Sequence, residues 1–280
     1  MGKDKSSFKV GVFVDSENVI RNGGYGIQYD VLREFACRNA GGPIRLNTYV
    51  AYDSDRARTD TVYRDRTNVF YSIVREFGFK VIKKKVRWYF DDAGNRYSKA
   101  NSDLDMAVDL ILQARNLDQV VLVTGDGDFA KVVSALQNEG CYVEVIGFDN
   151  VSSRLRNEAD KYISGYVIPQ LLPVLQNRAG KVHWGAEGSI VRGYCYKISR
   201  DGDIGFMRYL KRIDSGLWIT DSRDRESPYG SAPFRLADLG ERFDVNLLPD
   251  SNIIFEFKLM VRDGFKEYCA ENIQPVNNRR

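Results

Sequence analysis

Residues 121–133, VLVTGDGDFAKVV, pass from a run of valines to Asp126 and Asp128, set two apart about a glycine, and return to apolar residues. A buried strand carries ionised side chains only where something compensates them, so acids at its end are either helix caps or part of a binding site. One acid is enough to cap the helix predicted from Phe129, and the second exceeds what capping asks for. Another apolar run, FKVGVFV, ends in Asp15, Ser16, Glu17 and Asn18, and a third acidic group, Asp103, Asp105 and Asp109, lies in the stretch NSDLDMAVD. Read singly, Asp15 is a common kind of polar strand end and Asn18 a turn former. It is the coincidence of three segments that points to a site.

Carboxylates gathered at one place repel one another and raise each other's pKa unless a cation neutralises them. Oxygen ligands without His or Cys select Mg2+ or Mn2+ over zinc. Such an ion polarises a phosphodiester and acidifies a bound water, so phosphodiester hydrolysis is the chemistry that suits this set. At about 100° per residue, Asp105 is turned about 200° from Asp103 on a helix. Asp103, nearest the helix start, is therefore expected to face the site, Asp105 to face solvent and Asp109 to act as a partly buried support. His183 is the sole histidine, which argues against Ser-His, Cys-His and His-metal chemistry. Cys37, Cys141, Cys195 and Cys269 lie far apart with no CxxC pair, so they read as reduced thiols and not as a zinc site or disulfide framework.

The elements that must position these residues follow from hydrophobic patterning. Between residues 8 and about 175, apolar runs (FKVGVFV, IRLNTYVAY, FKVIKKKVRWYF, QVVLVTG, CYVEVIGF) alternate with helical stretches predicted at 29–39, 60–76, 102–115, 129–139 and 152–163. That alternation predicts an α/β fold, a parallel sheet flanked by helices, in which functional groups collect beyond the carboxyl ends of the strands. After Pro169 and Pro173 the composition changes. Residues 178–188, RAGKVHWGAEG, read as a linker, and beyond them GSIVRGYCYKI, DIGFMRYL, GLWIT, SAPFRLADL, IIFEFKLMV and FKEYCAENIQPV read as short strands of a small all-β barrel. The expected organisation is a first domain over 1–176, a linker over 177–187 and a second domain over 188–276.

The chain has 280 residues, with 41 Lys and Arg against 38 Asp and Glu, so bulk charge does not announce a nucleic-acid binder and any such contact must be local. No apolar run is long enough to span a bilayer and the first residues lack a signal-peptide core, so a soluble cytoplasmic protein without membrane contact is expected.

VFVDSEN, KANSDLDMAVDL, VLVTGDGDFAKVVSALQNEGCYVEVIG and LRNEADKYI together resemble the NYN domain, a PIN-like nuclease fold, and within it the LabA-like branch. The resemblance spans nearly all of residues 8–168. It implies a metal-dependent ribonuclease centre in which Asp15, Asp103, Asp126 and Asp128 hold Mg2+ or Mn2+ and Asn18 assists. It also puts Lys99 near that centre.

RNA drawn to an acidic centre needs cations around the rim. Arg56, Arg58 and Arg64 in RARTDTVYRDR, and Lys84 and Arg87 in KVIKKKVRWYF beside Trp88 and Tyr89, are the candidate contacts; each is equally readable as a solvated face. The C-terminal segment is similar in layout to a cold-shock or OB-fold barrel, which implies a base-stacking face. Phe206 is retained there, whereas Ile204, Pro233 and Leu236 stand where aromatics are expected, so the barrel is read as a weak RNA contact or as the surface for a protein partner or a second copy of the chain. The leading expectation is an endoribonuclease acting on single-stranded RNA. A non-catalytic RNA-binding or regulatory adaptor using the same acidic pocket is the alternative, and an aspartyl-phosphate phosphatase is a rival that DSEN only half resembles.

Overall fold

The computed structural model describes residues 8–39, 41–90, 96–99, 102–240, 243–261 and 268–276, with the backbone course alone for 87–90, 96–99 and 102. The chain divides into two compact units, residues 1–25 with 32–163 and residues 26–31 with 164–280.

The first unit is built on a six-stranded sheet of order β3-β2-β1-β6-β7-β8. Its strands are β1 (Lys9–Asp15), β2 (Gly42–Tyr52), β3 (Lys80–Lys85), β6 (Gln119–Val123), β7 (Tyr142–Gly147) and β8 (Lys161–Ser164). Every pairing from β3 across to β7 is parallel. Helices α1 (Ser16–Arg21), α2 (Tyr29–Ala36), α3 (Ser54–Thr59), α4 (Thr61–Glu76), α5 (Ser102–Ala114), α6 (Ala130–Asn138) and α7 (Ser153–Glu158) lie between the strands, and β4 (Arg87–Phe90) forms a hairpin with β5 (Arg96–Lys99). The unbroken apolar run of β6 is what a parallel strand covered on both faces requires, and all five of its residues are buried. Phe13, Met106, Leu110, Leu122, Phe129, Val133 and Val145 pack into the core beneath it.

Two predicted elements of the first unit differ from the fold. FKVIKKKVRWYF is two strands and not one: Val86 N–H still reaches Tyr52 O at 3.0 Å, after which the chain leaves the sheet and pairs with β5. The helix predicted at 152–163 stops at Glu158, because the Asp160 carboxylate accepts Val143 N–H at 2.7 Å and holds the following residues beside β7 as the short strand β8. Helices α1 and α3, six residues each, carry too few turns to show a hydrophobic period.

The second unit contains α8 (Leu175–Ala179) and a five-stranded antiparallel sheet of order β11-β10-β9-β12-β13, from β9 (Ile190–Ile198), β10 (Ile204–Leu210), β11 (Tyr229–Arg235), β12 (Asp250–Met260) and β13 (Cys269–Pro275). Strands β11 and β13, at opposite ends of that order, touch, so the sheet curls into a half-barrel. Alternation sorts the side chains: Cys195, Met207, Tyr209, Phe234, Phe255 and Phe257 fill the inside, whereas Tyr194, Tyr196, Phe206 and Arg208 stay half-buried on the outer face. GLWIT, predicted as a strand, is a turn. The Asp214 carboxylate accepts Gly216 N–H at 3.0 Å, Ser227 Oγ donates to Ile219 O at 2.7 Å, and Trp218 points to solvent. No described helix is long and apolar enough to cross a membrane.

Candidate active site

Strands β1 and β6 are adjacent and parallel, so their carboxyl ends open at the same edge. Asp15, the last residue of β1, is the N-cap of α1: its Oδ1 accepts Asn18 N–H at 3.1 Å. Its Oδ2 accepts the Thr124 hydroxyl at 3.2 Å, and Thr124 Oγ1 in turn accepts Asp126 N–H at 3.2 Å. The Asn18 side chain closes the other half of the seam, its Oδ1 accepting Gly125 N–H at 2.8 Å. Asp126 caps the 3-10 turn 127–129 by accepting Asp128 N–H at 2.9 Å, and α6 then begins at Ala130 with no side-chain cap. The capping role of Asp126 is thus observed, and it engages Oδ1.

Glycine is required inside this turn. A Cβ on Gly127 would stand 2.6 Å from Ser152 Oγ and 3.0 Å from Ser152 Cβ, so the loop before α7 can close on the turn only because that hydrogen is there.

Asp15 is 4% exposed, and its carboxyl is raised from 3.8 to about 6. Burial is the main cause, and the charges of Asp103 and Asp126 add to it; the hydrogen bonds from Asn18 and Thr124 oppose it without cancelling it. Residues from β1, the head of α5 and the end of β6 are therefore within electrostatic reach of one another. Asp103 is exposed in the first turn of α5, Asp126 is half-buried, and Asp128 is exposed on the 3-10 turn. Among the described residues, no group of three or more His, Cys, Asp or Glu stands as a closed ligand set. The donor chemistry is carboxylate oxygen throughout, which matches a hard divalent cation.

The remaining acids of α5 are compensated. Asp109 accepts the hydroxyl of buried Tyr49 at 2.7 Å, and burial followed by the Asp109 contact pushes that phenol well above its ordinary range. Tyr49 is the residue of β2 that pairs with Asp15, so this bond ties α5 to the strand next to the site. Asp105, expected to face solvent, instead forms an ion pair with Lys84 of β3. Helical phase alone turns Asp105 outward, but a long lysine from the neighbouring strand reaches it. Thr124 and Tyr49 are site residues that the sequence reading did not single out.

The candidate RNA contacts are mostly answered by nearby acids. Arg56 pairs with Asp60 at 3.1 Å and lies over the Tyr63 ring, Arg58 pairs with Asp55 at 3.6 Å, Arg64 pairs with Asp65 at 3.4 Å, and Lys84 is held by Asp105. The side chains of Arg87 and Lys99 lie outside the described residues. Phe206, on the outer face of the second sheet, packs 6.4 Å from Tyr196 with Lys197 Nζ 5.7 Å from its ring centre.

Residues 9–172 match the model of the NYN domain. The chain is similar to the Low amplitude and bright protein LabA of Synechococcus elongatus, 26% identical over 162 residues that cover 55% of this chain and 82% of LabA. Among solved structures, a protein of unknown function from Vibrio parahaemolyticus aligns with a TM-score of 0.47 and 24% identity, over 59% of this chain and 96% of that one.

Proposed function

The chain belongs to the NYN domain family, and from that premise we propose that it is an endoribonuclease that cuts single-stranded RNA with Mg2+ or Mn2+ held by Asp15, Asp103 and Asp126, Asp128 standing at the rim. The observation that carries this reading is the Asp15 carboxyl. It is buried without a cation among the described residues and driven up to about 6 by burial and by two neighbouring carboxylates, the electrostatic state that a divalent ion relieves. A bound ion would polarise the scissile phosphate and lower the pKa of a water beside it.

The chain's own contribution is preorganisation. Asn18 N–H and the Thr124 hydroxyl fix both oxygens of Asp15, and the Asn18 side chain clamps Gly125, so the ends of β1 and β6 keep one spacing. Asp103 and Asp126 act on that fixed carboxylate through their charges, from a helix head and a capped turn. Around this edge Arg56, Arg58 and Arg64 sit in solvent-screened ion pairs that hold them weakly, and a phosphate can replace the acid in each. Tyr196 and Phe206, with Lys197 and Arg208 over their rings, offer a second contact of the kind that holds unpaired bases.

Asp126→Asn is the deciding variant, because the amide oxygen still accepts Asp128 N–H while the charge is lost. Cleavage of a single-stranded RNA with Mn2+ is expected to fall by roughly 10²- to 10³-fold, with RNA affinity unchanged or slightly higher. The binding-only alternative has one observation in its favour, the lack of a closed ligand set among the described residues. It wins if the wild-type chain binds RNA and cuts none with either ion.

A further inference from the structure

Wholly within the second unit lies a cavity of about 270 Å³ whose walls include Gln170, Asn177, Arg178, Lys181, His183 and Trp184. Its described lining holds three basic side chains and no Asp or Glu. Elsewhere Arg21, Arg56, Arg212 and Arg223 are each answered by an acid four or fewer residues away. Arg178, Lys181 and His183 form no ion pair among the described residues. Cations gathered without an acid repel one another, and an anion in their midst relieves that repulsion.

The backbone gives a second, independent observation. Four described non-glycine residues have positive φ, and two of them, Asn150 and Asn272, are of the type that tolerates it. The other two, Gln170 at 61° and Lys181 at 52°, both line this cavity. Long side chains held in the left-handed region are strained, and such strain concentrates where a side chain must be aimed. The walls behind them are rigid. Asn177 exchanges two hydrogen bonds with the Ile190 backbone, at 2.7 and 2.8 Å, and Trp184 Nε1 donates to Leu210 O at 2.7 Å, which fixes the indole against the core of the half-barrel.

We propose that this cavity binds a nucleoside monophosphate, with the phosphate among Arg178, Lys181 and His183 and the nucleoside against Trp184 beside the Gln170 amide. A volume just below the usual range of ligand cavities is on the scale of a single nucleotide. An aromatic wall beside a cationic cluster matches a ligand with one flat apolar part and one doubly charged part. The site is distinct from the carboxylate edge, and the proposal stands whether or not that edge cleaves RNA.

Because His183 is the only histidine, its imidazole gives a single NMR signal that reports on the cavity in the full chain. AMP is expected to move that signal saturably below about 1 mM, adenosine to leave it in place, and inorganic phosphate to bind at least about tenfold more weakly than AMP. The exposed double variant Arg178→Ala with Lys181→Ala should keep its melting temperature and lose about tenfold or more in AMP affinity. The proposal is overturned if AMP at about 10 mM leaves His183 unmoved, if adenosine shifts it as AMP does, if phosphate alone binds as tightly, or if the double variant binds like the wild type. A 5′-phosphorylated RNA hexamer that displaces AMP at equal concentration would likewise overturn the assignment to a mononucleotide.

Discussion

Two buried carboxylates in the first sheet are treated in opposite ways. Glu144 of β7 is fully buried, and Arg38, itself buried, donates two hydrogen bonds to it at 2.8 and 2.9 Å while Gln119 adds a third at 3.2 Å. Asp15 of β1, nearly as buried, receives one hydroxyl and one backbone amide and has two further acids near it. The same sheet therefore contains a complete solution for a buried charge and declines to use it at Asp15. A carboxylate compensated by its own fold is structural; one left raised to about 6, with no cation beside it among the described residues, is what the proposed metal site requires.

The comparison is broken most directly at its structural half. Arg38→Met leaves Glu144 buried and uncompensated and should cost about 3–5 kcal/mol in chemical denaturation, with much of the loss recovered by adding Glu144→Gln. Divalent-dependent cleavage per folded molecule should stay unchanged. A loss of cleavage in the stable double variant would mean that the two halves of the sheet are not separable.

The other half predicts a gain. The folded pKa of Asp15, about 6, lies above its ordinary 3.8, so the protonated acid stabilises the fold below pH 4, and that contribution is lost as pH rises through 6. Asp15→Asn mimics the protonated form at every pH, and its Oδ1 still accepts Asn18 N–H. In EDTA it should be more stable than the wild type by roughly 2–3 kcal/mol above pH 7, with the gap closing below pH 4. Saturating Mn2+ should reverse the order, because only the wild type gains from binding. An asparagine variant that is less stable at neutral pH in EDTA would make Asp15 an acid of the Glu144 kind.

How much of this contrast is legible before folding depends on whether the partners are local. The acidic ends of β1 and β6 can be read because parallel strands covered on both faces are unbroken apolar runs, and the residues that interrupt them must lie at the sheet edge. The antiparallel sheet of the second unit is legible in its run of short β-rich segments separated by polar turns. What compensates each acid is not. Arg38 and Glu144 are 106 residues apart, Thr124 and Asp15 are 109 apart, and Lys84 meets Asp105 across 21, all contacts that exist only once strand order is set. Helical phase separates Asp103, Asp105 and Asp109 around α5 but cannot tell which of them a lysine or a tyrosine will reach. Strand β8 escapes notice because four residues held by one Asp160 contact look like the tail of a helix.

A smaller effect sharpens the site itself. Thr124→Val keeps shape but removes the hydroxyl donor to Asp15 and leaves Asp126 N–H without its acceptor, at a cost of about 1–2 kcal/mol. The lost hydrogen bond had favoured the ionised carboxyl, so the Asp15 pKa, followed by carboxyl 13C NMR in EDTA, should move above its wild-type value. If it holds still or falls, Thr124 is not what orients that oxygen.

The weakest predicted change in stability separates a solvated pair from an RNA contact. Arg56 is exposed and Asp60 half-exposed, so Arg56→Ala should change stability little, part of any loss coming from packing on the Tyr63 ring. If Arg56 exchanges Asp60 for a phosphate when RNA binds, the same variant should weaken binding evenly across sequences and reduce the slope of log affinity against log salt by about 0.7, the value for one phosphate on a single strand. An unchanged slope would return Arg56 to the role its ion pair already gives it, and would shift the search for the rim contacts to the cations of β3 and the hairpin that follows.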